Sequence, residues 1–143
     1  MKFLILILLS LSLLLGNQSG DKLKMQILKN ICSCIKSENK MKIWSDDINI
    51  MESFKESDKF VTVSNFNDAN FIILTKKIAF LTEDTDKHIF VLNYCLLEHI
   101  PNSFGALFWK KGRPNIVFIK SRLEDQSLIL SDKLKPYIEE QIW

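Results

Sequence analysis

The segment from Gly105 to Leu134 constrains the fold more than any other stretch of the chain. Two apolar runs, Ala106 to Trp109 and Asn115 to Ile119, flank a polar connection, Lys110 to Pro114, that contains a glycine. Hairpin loops of this kind need a positive φ, which glycine adopts without steric cost. The segment therefore predicts a β-hairpin around which the other elements pack.

Two helix start signals follow the predicted hairpin. Ser121 to Glu124 has the Ser-x-x-Glu pattern of a capping box, in which two side chains satisfy N–H groups of the first turn. Ser131-Asp132 is a second start signal, after the apolar run that ends at Leu130. We therefore expect a short helix after the hairpin and a last helix near the end of the chain.

The rest of the chain alternates helical and extended patterns. Apolar residues at helical spacing from about Asp21 to Lys36 predict an amphipathic helix. Ile48 to Phe54 predicts a short helix, and Cys95 to Ile100 a short helix or loop. The predicted strands are Met41 to Trp44, Phe60 to Val63, Phe71 to Thr75, Ile89 to Leu92 and the two hairpin strands. This alternation predicts an α/β fold: a mixed-sheet three-layer sandwich of about five to six strands with a C-terminal β-hairpin and flanking short helices.

The first residues have the pattern of an export signal. Met1-Lys2 is followed by an apolar run from Phe3 to Leu15, as in the n-region and h-region of a secretory signal. This run would rise only about 20 Å as a helix, short of the ~30 Å hydrocarbon core of a bilayer. We predict a signal peptide over 1–20, an α/β domain over 21–143, and a periplasmic location. An uncleaved tether to the inner membrane is the alternative.

Charge and composition restrict the classes of partner. The formal net charge is only +2, and the lysines are interspersed with Asp and Glu. Nucleic-acid binding needs basic residues gathered on one face, so we expect no nucleic-acid partner.

The three cysteines leave two interpretations open. Cys32 and Cys34 would point about 200° apart on the predicted helix, so they cannot easily bridge each other. An oxidising compartment permits a disulfide between one of them and Cys95, with Cys34 and Cys95 as the candidate pair. The alternative is that all three are small buried apolar side chains.

The sequence lacks the motifs of a catalytic centre. It has no nucleophile elbow, glycine-rich phosphate loop or dinucleotide fingerprint, and only four glycines. Cys95 and His99 are spaced i, i+4, but no third ligand or orienting partner lies near them. Asp46-Asp47 after a strand is similar to a phosphoacceptor pocket, although Leu74 to Lys76 offers no nucleophile, so helix capping is the preferred interpretation. We predict no catalytic residue, cofactor or metal.

The hairpin turn provides the best candidate for a partner surface. Trp109, Lys111 and Arg113 lie in or beside it, and Trp and Arg dominate interface hot spots. A solvated polar loop beside a core tryptophan would have the same sequence pattern, so the exposure of Trp109 decides between the two interpretations.

The last half of the chain resembles a known family. The matching stretches are Asp68 to Leu74, Ile89 to Leu92, Ser103 to Leu107, Gly112 to Ile119 and Ser127 to Leu134. Over roughly residues 68–138 this order of elements is similar to the C-terminal part of YfiR-like periplasmic proteins. Phe104 stands where that family usually has a second glycine, and the family's redox-linked disulfides have no clear counterpart.

The resemblance implies a non-enzymatic regulator. Such proteins restrain the periplasmic sensing region of a membrane diguanylate cyclase, so the implied partner is an inner-membrane signalling protein and the implied output is cyclic-di-GMP. The alternative function is a periplasmic small-molecule-binding protein associated with a transporter or sensor. Self-association into a homo-oligomer is a further alternative for the partner.

Overall fold

The computed structural model describes residues 20–37, 39–79 and 86–143. The predicted signal peptide therefore lies outside the described residues, apart from Gly20. Among the described residues, none of the helices combines the length and the apolar character that crossing a bilayer requires.

Short elements alternate along the described chain. The helices are α1 (20–33), α2 (Ile48–Lys55), α3 (Leu96–His99) and α4 (Lys120–Asp125), with 3₁₀ turns at Phe66–Asp68 and Lys135–Tyr137. The strands are β1 (Lys42–Ser45), β2 (Val61–Thr62), β3 (Phe71–Leu74), β4 (His88–Val91), β5 (Ser103–Lys110), β6 (Arg113–Ile119) and β7 (Ile138–Glu139).

All of these strands join one mixed sheet. Their order is β2-β1-β3-β4-β5-β6-β7. Neighbours from β2 to β5 are parallel, β5 and β6 are antiparallel, and β7 runs parallel to β6. The predicted α/β mixed sheet is confirmed, but the described part of the chain supplies seven strands to it instead of five to six.

Helices and turns cover both faces of the sheet. Face A carries Phe71, Ile73 and Leu107 and packs against α1, α2 and α4. Face B carries Ile72 and Leu74 and packs against the first 3₁₀ turn and α3. All four residues of β3 are buried, as expected for a central strand covered on both sides. The predicted three-layer arrangement is therefore confirmed.

The hairpin has the predicted position and turn chemistry. Six residue pairs join β5 and β6, from Gly105–Phe118 to Lys110–Arg113. The two turn residues, Lys111 and Gly112, have φ values of 52° and 73°. Positive φ at both central positions is typical of a type I′ turn, whose twist matches that of the flanking strands.

Two predicted helix starts are wrong. Helix α4 begins at Lys120, directly after β6, so Ser121 lies within the first turn, and no side chain of the described residues caps the helix. The predicted last helix is replaced by the 3₁₀ turn Lys135–Tyr137 and by β7. Pairing of Ile138 with Phe118 at the sheet edge holds β7 in an extended conformation. A start signal reports only local preference, and long-range pairing outweighs it here.

Candidate partner-binding site

The end of the hairpin extends past its neighbouring strands. Among the described residues, β4 pairs with β5 only as far as Ala106, and β7 pairs with β6 only from Phe118 onwards. Residues 107–116, called the hairpin end below, are therefore held by their own pairing and by packing. The type I′ turn and regular register keep this extension ordered.

The structure brings the three predicted site residues together at the hairpin end. Trp109 is 42% exposed, so it is not a core residue. Lys111 occupies the turn, and Arg113 lies opposite Lys110 in the register. Side chains alternate along a strand, so Trp109 lies on face A with Leu107, and Lys110 lies on face B.

The positive charge of the hairpin end is not neutralised within the described residues. The ion pairs found there join Lys120 to Glu140 and Lys135 to Asp132, both away from the turn. Lys110, Lys111 and Arg113 are exposed and form no ion pair with a described carboxylate. The hairpin end therefore presents three cations to any molecule that approaches it.

An aromatic groove lies beside these cations. It has a volume of about 620 Å³. The rings of Tyr94 and Phe108 meet edge to face with centroids 5.1 Å apart. The Tyr94 hydroxyl accepts a hydrogen bond of 2.8 Å from the main-chain N–H of Trp143, which is 79% exposed. The groove is lined by Tyr94, Phe108, Trp109, Lys110, Asn115, Ile116, Val117, Glu139 and Trp143.

Sequence reasoning did not find Tyr94 and Trp143. They are 49 positions apart, and nothing in the sequence links them before the chain folds. The available signal was the presence of two aromatic residues, Tyr137 and Trp143, near the end of a chain whose last predicted element was a helix.

A second cavity lies at the carboxyl ends of β1 and β2. It has a volume of about 630 Å³, and its walls include Trp44, Met51, Glu52 and Lys55. We call it the carboxyl-end crevice. The strand order reverses beside it, because β2 and β3 lie on opposite sides of β1. Open α/β sheets bind ligands at such reversals, outside the carboxyl ends of their strands.

The two aspartates after β1 have structural roles. Asp47 caps α2, accepting a hydrogen bond of 2.8 Å from the N–H of Asn49, as predicted. Asp46 accepts hydrogen bonds from the N–H and the hydroxyl of Thr75, at 2.9 and 2.8 Å, and thereby joins the ends of β1 and β3.

The candidate disulfide between Cys34 and Cys95 is not formed. All three cysteines are free. Cys34 packs on face A at the end of α1, whereas Cys95 is exposed before α3 on face B, so the sheet separates them. Only Cys32 is buried, and desolvation raises the pKa of its thiol well above the usual range. The buried-cysteine interpretation therefore holds for Cys32 alone.

The Cys95 and His99 pair does not form a thiol–imidazole couple. The Nδ1 atom of His99 lies 2.8 Å from the main-chain oxygen of Cys95. Within the ranges that the structure covers, no group of three or more His, Cys, Asp or Glu side chains is arranged to hold a metal ion.

The fold and this site together define a class: a three-layer α/β sandwich with an exposed basic and aromatic hairpin. No family model, curated protein or solved structure matches the chain. The resemblance to YfiR-like proteins stays a prediction.

Proposed function

We propose that the chain is a non-enzymatic regulatory protein that works outside the cytoplasm and binds an inner-membrane signalling protein through its hairpin end. The observation that carries this proposal is the exposure of Trp109 next to an aromatic groove and to three cations that form no ion pair within the described residues. Interface hot spots commonly combine a tryptophan that lies outside the core with a nearby arginine.

The charges supply a physical reason for an acidic partner. Lys110, Lys111 and Arg113 form no ion pair with a carboxylate of the described residues, so no such pair has to break before they bind. Acidic groups on a partner would speed its approach and fix its orientation. The type I′ turn also fixes the hairpin backbone before binding, which reduces the entropy lost on association.

The family resemblance extends the proposal to a class of partner. A YfiR-like protein restrains the periplasmic sensing region of a membrane diguanylate cyclase, so we propose a partner of that kind. This extension depends on export, which rests on the apolar run from Phe3 to Leu15.

The test is recovery of the partner from inner membranes with the exported full-length chain as bait. The wild type is expected to enrich an integral signalling protein, and Trp109→Ala and the pair Lys111→Glu/Arg113→Glu are expected to reduce that enrichment at least about tenfold. Lys22→Glu/Lys59→Glu, at exposed positions away from the hairpin, makes the same change in net charge and serves as the control. Equal recovery with all four baits contradicts the proposal.

The carboxyl-end crevice supports a second function, small-molecule binding in association with a transporter or sensor. The test is a thermal-shift screen of periplasmic metabolites. A ligand present at a hundred times its Kd should add about 2.7 kcal/mol to the free energy of unfolding. A shift that is lost in Glu52→Ala/Lys55→Ala and kept in Trp109→Ala supports this function, and a screen without such a shift contradicts it.

A further inference from the structure

The hairpin end has an open backbone edge. Strand β6 pairs with β5 along its whole length, but it pairs with β7 only at Phe118 and Ile119. In the part of the chain that the structure describes, no strand lies on the outer side of β6 from Arg113 to Val117. This edge borders the aromatic groove, which Asn115, Ile116 and Val117 help to line.

The register shows which backbone groups point outward. Pro114 lies opposite Trp109 and has no N–H, so these two residues form a non-hydrogen-bonded pair. The two kinds of pair alternate along an antiparallel ladder, so Leu107 and Ile116 form the next non-hydrogen-bonded pair. The N–H and C=O of Ile116 therefore point away from β5, as does the C=O of Pro114. At the following position of this kind, Phe118, strand β7 pairs with β6.

The chemistry around this edge selects its occupant. Proline on an outer edge blocks indiscriminate strand pairing, so the few available backbone groups require help from side chains. Lys110, Lys111 and Arg113 attract acidic groups, and Phe108, Val117 and Trp143 provide apolar contact on face B. An extended peptide forms hydrogen bonds with the outward N–H and C=O of a strand edge, whereas a lipid surface does not pair with them in this way.

We infer that the edge of β6 from Arg113 to Val117 binds an extended acidic segment of a protein partner as an added strand. On face B, the segment places acidic residues beside Lys110 and Arg113, near the turn, and apolar or aromatic residues beside Phe108 and Val117, in the groove. This inference rests on the proposed function, because it names the chemistry of the partner that the hairpin end binds. Main-chain pairing at Ile116 contributes affinity, and the side chains contribute specificity.

The experiment tethers a probe strand to the full chain. A probe strand about six residues long is fused after Trp143, which lines the groove. Its first three residues are valine and its last three are glutamate, so that a strand running antiparallel to β6 places valine beside Val117 and glutamate beside Arg113. A Gly/Ser linker of about twelve residues spans roughly 19 Å and gives the probe a millimolar effective concentration. The matched control carries lysine in place of each glutamate, and a second control carries proline in place of each valine.

The readout is amide hydrogen exchange at Ile116. At a millimolar effective concentration, a strand with a Kd of about 0.1 mM is bound roughly nine-tenths of the time and slows this exchange about tenfold. We expect this slowing with the glutamate tether only, and its loss when Lys111→Glu/Arg113→Glu is added. The Val117 amide, which already donates to β5, should not change.

Equal exchange at Ile116 with the glutamate and lysine tethers overturns the strand-addition inference. That result does not contradict the proposed function if recovery of the partner from membranes still depends on Trp109. If the glutamate tether protects Ile116 but recovery of the partner does not depend on Trp109, the result contradicts the proposed function instead. A third outcome is that the untethered protein cosediments with phosphatidylglycerol vesicles while Ile116 stays unprotected in the tethered protein. This outcome assigns the three cations to a lipid surface and also overturns the inference.

Discussion

Replacing Phe104 with alanine is expected to lower the free energy of unfolding by roughly 3–5 kcal/mol. Phe104 is fully buried. The centroid of its ring lies 5.7 Å from that of Phe71, 5.6 Å from Phe90 and 6.1 Å from Phe118. Alanine would leave a cavity between three rings that are themselves fixed by the core, so the cavity could not close.

The position of Phe104 depends on an irregularity in the sheet. Ile89 of β4 pairs with Ser103 and Phe90 pairs with Gly105, so Phe104 is an extra residue on β5. Such a bulge redirects a side chain, and here the ring lies in the cluster on face A.

The adjacent Gly105 makes room for the same cluster. A Cβ at Gly105 would lie 2.7 Å from Cδ1 of Phe118 and 2.7 Å from the main-chain oxygen of Val117. Any other residue would therefore push the Phe118 ring away from its present contact with Phe90 and Phe104.

Urea unfolding measures the loss in the free energy of unfolding for Phe104→Ala and for the control variant Phe108→Ala. Phe108 is a half-buried phenylalanine on the same strand, so its replacement should cost about 1–2 kcal/mol. Phe104→Leu, with an expected loss of about 1 kcal/mol, keeps the test measurable if the alanine variant does not fold. A loss in Phe104→Ala no larger than that in Phe108→Ala would show that the aromatic cluster does not anchor the sheet.

The parts of the fold that sequence patterns predicted are those fixed by local chemistry. The apolar run Phe71–Leu74 forms a strand buried on both faces, and Gly112 has the positive φ that the hairpin requires. Asp47 caps the helix that follows it. In each case the residues that carry the signal also form the structure, so the sequence was sufficient.

The parts that sequence patterns missed depend on contacts between distant residues. Strand β7 exists because Ile138 meets Phe118, although Ile138–Glu139 is too short to show a strand pattern in the sequence. The bulge at Phe104 follows from the register between β4 and β5. The same division applies to the site: the turn predicted Lys111 and Arg113, whereas the contact between Tyr94 and Trp143 that borders the groove requires the folded sheet.

Replacing Arg122 with methionine is expected to lower the free energy of unfolding by about 2–3 kcal/mol. The Nη1 atom of Arg122 donates hydrogen bonds of 2.8 Å to the carbonyl oxygens of Leu97 and Ser103, which links α4 to α3 and to the start of β5. Partial burial lowers the pKa of the guanidinium, so desolvation opposes its charge and the hydrogen bonds must outweigh this cost. Methionine keeps an apolar stem of similar length but leaves both carbonyls without this donor.

Arg113→Met is the matched control for this prediction, because it makes the same chemical change at an exposed position of the hairpin end. Its effect on stability should stay within about 0.5 kcal/mol. Arg122→Lys should fall between the two, since an ammonium keeps the charge but lacks the guanidinium's fork of donors. Equal urea midpoints for Arg122→Met and Arg113→Met would mean that the two carbonyls find other donors. The expected loss, together with faster amide exchange at Ile100 and Ser103, would establish that one side chain joins the layers on either side of the sheet at the end opposite the hairpin turn.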